Sequence, residues 1–310
     1  MPCMLKKTYF PIFLICIGCW NCNAQKIKTI ETEAQLLKPS YYSKATEAER
    51  NYFLYLPKTY GDDKEKEWPV LMFLHGNGER GNGLDELDYA MIHGPLYEAW
   101  IQKKELPFII IAPQLPMFGM DEKASYIKNR TRDQIPIRLD KGVPERPGDF
   151  PTEGPMNGQL ADNEMKFPEE GLPMGWPVIE EDLLWMLQTT KVNYDVDDNR
   201  VYLSGLSYGG FGTWWMASKH PDLFAAIAPV VGYAHPDLME PIAKNKIPVW
   251  AFAGGRDYVV PVKYFYASLN KLESLGHKPR FTIHSDMNHD AWTRIYRGWD
   301  LYDWLLEHRK

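Results

Sequence analysis

All four cysteines, Cys3, Cys16, Cys19 and Cys22, fall within the first 22 residues. A chain processed beyond them has no disulfide, no thiolate metal site and no cysteine nucleophile, which removes the cysteine-dependent hydrolases from consideration. Neither G-x-x-x-x-G-K-[ST] nor G-x-G-x-x-G is present, so the phosphate-cradling and dinucleotide motifs are missing and no cofactor is expected. No set of ligand-type residues has metal-site spacing, and no metal is expected. The apolar stretch from Phe10 to Trp20 is too short to cross a bilayer, and no transmembrane span is expected. Positive charge is in short supply: the formal net charge is −6, which speaks against an electrostatic nucleic-acid surface.

That apolar stretch instead has the form of an export signal. Lys6 and Lys7 precede it, and Asn23-Ala24-Gln25 offers a small-residue cleavage point after Ala24. Residues 1–24 are therefore read as a signal peptide and 25–310 as one catalytic domain, secreted or periplasmic. Ile17-Gly18-Cys19 also resembles the end of a lipobox, which would anchor the chain by lipid at Cys19, although Cys16 stands where an aliphatic residue is usual.

Gly205-Leu206-Ser207-Tyr208-Gly209 carries the most information. It follows the apolar run Val201-Tyr202-Leu203 and precedes a helical pattern, Tyr208 to His220, that stops before Pro221. A sharp strand-to-helix turn forces a serine backbone into strain, and only small residues two positions away on either side leave room for it. Such a serine needs a base and an orienting acid. After Ser207 comes the apolar run Val249 to Ala253, then a loop holding Asp257. Further on, Phe281-Thr282-Ile283 reads as the last strand, and Met287-Asn288-His289-Asp290 as the loop before the C-terminal helix. The expected roles are nucleophile for Ser207, base for His289 and orienting acid for Asp257, in the chain order Ser, Asp, His.

Rivals exist for both partners. Asp222, Asp237 and Asp286 follow the serine, as do His220, His235, His277 and His284; His284, directly after the last strand, competes most closely with His289. Oxyanion donors are expected from the backbone N–H of Tyr208 and from the glycine-rich loop His75 to Gly81, where Asn77 N–H is the choice. His75 is read as bracing that loop, and Glu79 with Arg80 as an internal ion pair.

These stretches resemble the α/β-hydrolases, and within them the esterases grouped with feruloyl and acetylxylan esterases, polyhydroxybutyrate depolymerases and prolyl-oligopeptidase-type hydrolase domains. LHGNGERG at 74–81, YLSGLSYGGFGTW at 202–214, HPDLFAAIAPVVG at 220–232, GGRDYVVP at 254–261 and NHDAW at 288–292 carry the resemblance. It implies the same roles for Asn77, Ser207, Tyr208, Asp257 and His289. Tyr208 departs from the methionine frequent there, which affects only the shape of the pocket, since the donor is main chain.

The fold expected is α/β: a mostly parallel central sheet with helices on both faces and a long insertion after a central strand. Strands are placed at about 52–56, 70–74, 108–112, 201–204, 226–231, 249–253 and 281–283. Ile179, Leu183, Met186 and Leu187 share one helix face; Trp292, Ile295, Trp299, Tyr302 and Leu306 share another. Residues 115–178 hold nine of the 24 prolines and seven glycines, without helical or strand period. This insertion reads as a lid over Ser207 or as a decoration of the domain surface. Tyr126, Phe150, Phe167 and Trp176 are its candidate contact surface, and Arg130, Arg132 and Arg138 its candidate partners for an acidic sugar.

The activity expected is serine-dependent hydrolysis of a carboxylic ester, removing acetyl or hydroxycinnamoyl groups from plant-type polysaccharide. The alternatives are a prolyl-oligopeptidase-like serine peptidase and a non-catalytic binding module that keeps the hydrolase fold. The peptidases usually add a large N-terminal propeller, and the module would have a broken triad.

Overall fold

In the computed structural model the described residues are 32–146, 150, 156, 158–162 and 175–310. The expected signal peptide at 1–24, with Cys19, lies outside them, as does Phe167. Among the described residues, eight strands form one sheet in the order β1-β4-β6-β5-β7-β8-β9-β10. These are β1 (Gln35–Leu37), β4 (Phe53–Leu56), β5 (Trp68–Leu74), β6 (Ile109–Ala112), β7 (Val196–Leu206), β8 (Ala226–Val230), β9 (Trp250–Gly254) and β10 (Arg280–His284). The two others, β2 (Ser40–Ser43) and β3 (Ala48–Asn51), make a separate antiparallel hairpin. From β6 to β10 all neighbours run parallel, while β1 and β4 are antiparallel additions at one edge.

A parallel sheet covered on both faces needs strands that are apolar on both sides, which is why these strands read as continuous apolar runs. Along β5 the side chains alternate: Val70, Met72 and Leu74 enter one core, Leu71 and Phe73 the other. The first core is closed by α3 (Glu180–Asn193), α4 (Tyr208–Lys219), α5 (Met239–Lys244) and α6 (Phe265–Ser274), with Leu183, Met186, Leu187, Trp214, Ile242 and Leu269 packed inward. The second is closed by α7 (Trp292–Arg297) and α8 (Asp300–Leu306), through Ile295, Tyr296, Leu301, Tyr302 and Leu305. The short helices α1 (Met120–Lys123) and α2 (Ser125–Lys128) belong to the insertion.

All seven expected strands are present, and β1, β2 and β3 are additional. The C-terminal helix is two helices: α7 ends at Gly298, whose extended backbone (φ −65°, ψ 170°) redirects the chain into α8. The shared apolar face survives the break, because Trp292, Trp299 and Leu306 still pack beside buried Ile295 and Tyr302.

The described part of 115–178 is tied to the domain by its ends and by single anchors. Trp176 is buried, edge-on to His75 with ring centroids 4.9 Å apart, and occupies the space that Gly212 of α4 leaves open. It is core, not contact surface. Phe150 packs on the second face against Trp250, Phe252 and His284. The three arginines also face protein. Arg130 reaches Glu86 at 2.7 Å and lies over Tyr89, Arg132 donates to Asp85 O, and Arg138 donates to Trp100 O while covering the Trp100 ring. Arg130 and Arg138 brace the loops around residues 78–100, while the Arg132 side chain is largely exposed.

Trp176→Ala is expected to cost about 3–5 kcal/mol, as for a fully enclosed aromatic. Denaturant unfolding checks this, and a loss below about 1 kcal/mol would contradict the wedge between α4 and the loop after β5.

Candidate active site

Four loops meet at the carboxyl ends of the parallel strands, where open α/β sheets collect their ligands. Ser207 follows β7, Asn77 follows β5, Asp257 follows β9 and His289 follows β10.

Ser207 has φ 49° and ψ −112°, a conformation that costs a non-glycine residue about 1–3 kcal/mol. Two glycines make it attainable. A Cβ on Gly205 would overlap the Gly209 carbonyl, and one on Gly209 would overlap the Leu74 carbonyl. The turn is fastened by Ser207 N–H donating to Val230 O at 2.9 Å and Phe211 N–H to Ser207 O at 3.2 Å.

Ser207 Oγ lies 2.9 Å from His289 Nε2, and His289 Nδ1 lies 2.7 Å from Asp257 Oδ2. The other oxygen of Asp257 accepts the N–H groups of Val259 and Val260, each at 2.8 Å, so the buried carboxylate is held in one orientation. The two loops that carry Asp257 and His289 are joined by main chain: Gly255 N–H donates to His284 O and Arg256 N–H to Met287 O. Gly254 completes the fit, since a Cβ there would collide with the Asn288 carbonyl. The His289 ring meets Trp292 edge-on, centroids 5.1 Å apart.

Among the rivals, His284, Asp286, His220, His277 and His235 are engaged elsewhere. His284 is buried at the end of β10, beside Phe150 and Arg294; burial brings it down to about 4. Asp286 pairs with both guanidinium nitrogens of Arg294, at 2.7 and 2.6 Å, which holds its carboxyl far below the usual range. His220 meets Glu180, His277 faces Ile247 O, and His235 accepts from Asp237 N–H.

Asn77 opens a single helical turn, Asn77–Glu79, directly after Gly76. Both ends of its side chain amide are occupied within the protein: Oδ1 accepts from Arg80 Nε at 2.6 Å, and Nδ2 donates to the Tyr126 hydroxyl at 2.6 Å. His75 donates from Nδ1 to Gly76 O and accepts Leu115 N–H at Nε2, which fixes its tautomer. Burial carries it down to about 3, so it stays a neutral brace, as expected.

The expected Glu79–Arg80 pair takes another form. Glu79 faces His75 and His93, each at 3.8 Å, and burial lifts its carboxyl to about 7. Arg80, fully buried, turns to Asn77, to Pro116 O and to the Tyr208 ring, 4.8 Å from its centroid. One guanidinium thus touches both residues named as oxyanion donors. Its charge next to a glycine-rich loop was the only sequence signal for this. Gln114, fully buried, ties the same loop from behind: its amide group donates to Glu79 O and Glu86 O and accepts Gly83 N–H. Among the described residues no group of three or more His, Cys, Asp or Glu could hold a metal ion, and no helix is long and apolar enough to cross a membrane.

Known proteins share this framework. The Prolyl oligopeptidase family matches residues 179–242, the stretch from α3 through the Ser207 turn into α5. Poly(3-hydroxyalkanoate) depolymerase C of Paucimonas lemoignei is 47% identical over 47 residues, 15% of this chain and 11% of that protein. A thermostable esterase of known structure is 25% identical, with a TM-score of 0.58, covering 89% of this chain and 63% of its own. A ferulic acid esterase is 16% identical, with a TM-score of 0.55, covering 88% and 97%. The chain therefore spans less than two thirds of the depolymerase and of the thermostable esterase. Its fold is that of the α/β-hydrolases, and its likenesses run to esterases within them.

Glu79 yields a test of this packing. Its folded value, about 7, lies above the unfolded carboxyl value, so the stabilisation belongs to the protonated form. It is complete below about pH 4.5 and is lost as pH rises through 7. Glu79→Gln, which cannot ionise, is expected to gain on wild type between pH 5 and pH 8 in thermal midpoint. A difference that stays constant over that range would contradict the buried, near-neutral carboxyl.

Proposed function

We propose that this protein is a serine carboxylic-ester hydrolase, acting through an acyl-enzyme on Ser207. The observation that carries the reading is the continuous hydrogen-bonded line Ser207 Oγ, His289, Asp257, mounted on a strained turn. Ser207 Oγ attacks the ester carbonyl carbon while His289 Nε2 takes its proton. Negative charge then develops on the carbonyl oxygen, stabilised by the backbone N–H groups of Asn77 and Tyr208. The tetrahedral adduct collapses as His289 returns the proton to the leaving alkoxide, and the acyl group stays on Ser207. Water, deprotonated by His289, repeats the attack and frees the carboxylic acid. Throughout, Asp257 Oδ2 holds the His289 Nδ1–H tautomer and offsets the imidazolium charge.

The substrate proposed is an acetyl or hydroxycinnamoyl ester on a plant-type polysaccharide or its oligosaccharides, met outside the cytoplasm after export. Likeness to the ferulic acid esterase supports this choice. The prolyl oligopeptidase match supports a peptidase as the second reading, since it falls on the turn that both activities would use. A binding module without catalysis is disfavoured by the intact hydrogen-bonded line.

Ser207→Ala is expected to reduce kcat on p-nitrophenyl acetate, acetylated xylan or methyl ferulate by about 10⁴-fold or more, with the fold retained by circular dichroism. Retained turnover would overturn the nucleophile. His289→Ala should be nearly as damaging, and a larger loss in His284→Ala would mean that the base is misassigned.

A further inference from the structure

The two backbone donors proposed for the oxyanion come from different elements. Asn77 is the first residue of the turn Asn77–Glu79, after β5, and Tyr208 is the first residue of α4, after β7. The first N–H of a helical turn has no acceptor within that turn, so neither helix consumes its donor. An oxyanion is stabilised by both only if the two N–H groups lie about 2.7–3.1 Å from one point. The placement of one loop against the other therefore decides whether the pair works. We propose that Arg80 is the positioning residue of this pair, a bridge that fixes the Asn77 and Tyr208 peptides relative to each other without touching substrate. The inference rests on the serine-esterase reading above.

Arg80 is fully buried, which keeps it out of contact with a bound ester. Its Nε donates to Asn77 Oδ1 at 2.6 Å and its Nη1 to Pro116 O at 2.8 Å. The same guanidinium is hydrogen-bonded to the Tyr208 side chain and lies 4.8 Å from the centroid of that ring. One rigid plane thus joins the loop after β5, the start of α4 and the chain that leaves β6. The rest of the Asn77 amide is held as well, since Nδ2 donates to the Tyr126 hydroxyl at 2.6 Å.

Other bonds in the region secure one loop at a time. Arg130 Nη1 donates to Gly78 O at 3.1 Å and Gln114 Nε2 to Glu79 O at 2.9 Å, and both stop at the loop after β5. Ser207 N–H donating to Val230 O secures the nucleophile turn alone. The passage of Gly209 against the Leu74 carbonyl joins the two elements at the end of β5, before the donor loop begins. Arg80 joins them at the donors themselves. Its planar fork of N–H groups sets three acceptors in a fixed relation, which the flexible point charge of a lysine cannot do.

Acylation and deacylation both pass through the oxyanion, so a displaced donor lowers kcat and leaves KM nearly unchanged. The test is steady-state hydrolysis of p-nitrophenyl acetate by wild type, Arg80→Lys, Asn77→Ala, Tyr208→Phe and the Asn77→Ala/Tyr208→Phe double variant, with circular dichroism on each. Arg80→Lys is expected to lose about 10–100-fold in kcat, with KM within about threefold of wild type. Asn77→Ala and Tyr208→Phe keep both backbone N–H groups and each release one arm of the bridge. Each is expected to lower kcat about tenfold, and the double variant to lose little more than the worse single one, because both act through the same guanidinium. A kcat for Arg80→Lys within about twofold of wild type, a loss expressed in KM instead, or single effects that multiply in full would overturn the bridge. Should Arg80→Lys fail to fold, the Asn77 and Tyr208 variants, at half-buried positions, decide the matter alone. Failure of the esterase reading is distinct: wild type itself would neither hydrolyse the acetate nor take up a fluorophosphonate, and the bridge would fall with it.

Discussion

The backbone of Ser207 is the constraint on which the rest of the site depends. At φ 49° and ψ −112° it sits where side-chain-bearing residues are rarely found, and it can stay there only because β7, the first turn of α4 and the end of β5 close around it. Gly205 and Gly209 permit carbonyl groups to approach where any side chain would collide. That close approach brings the Tyr208 peptide next to the loop that begins at His75, so strain at one residue sets the relation between nucleophile and oxyanion loop. The cost of about 1–3 kcal/mol is modest beside the apolar burial of the strands and helices on either face.

A second set of restraints fixes the base and acid. The loops after β9 and β10 share main-chain hydrogen bonds, and Gly254 lets one pass directly over the other. Asp257 accepts two backbone N–H groups on one oxygen, leaving the second for His289. The orientation of the imidazole therefore depends on backbone geometry more than on side-chain packing. On the opposite side, Arg80, Gln114 and His75 hold the 75–86 loop through hydrogen bonds, and Arg130 of the insertion adds its bond to Glu86. A buried guanidinium with several acceptors is costly to lose and fixes one arrangement of the main chain around it.

Much of this was legible in the sequence where local sterics or burial on both faces dictate the residue. The glycines around Ser207 announce the turn, and apolar runs such as Val70–Leu74 announce central parallel strands. The segments SYYS and AERN of β2 and β3 carry no such run: β2 alternates exposed and buried positions, and in β3 only Arg50 is buried. The break at Gly298 was hidden because the apolar spacing continues across it. The protein contacts of Arg130 and Arg138 are hidden in the sequence for a different reason. Their partners, Glu86 and Trp100 O, lie some forty residues away in sequence, and long-range pairing leaves no local mark. The same holds for Arg80, whose contact with Tyr208 depends on the tertiary meeting of two loops.

The central claim is that Ser207, activated by His289, forms a covalent acyl adduct. The most direct measurement is reaction with a fluorophosphonate followed by intact mass and peptide mapping. A single adduct on the peptide containing Ser207, formed far more slowly in the His289→Ala variant, is the result predicted. No adduct on a folded protein, or an adduct on a different residue, would contradict it.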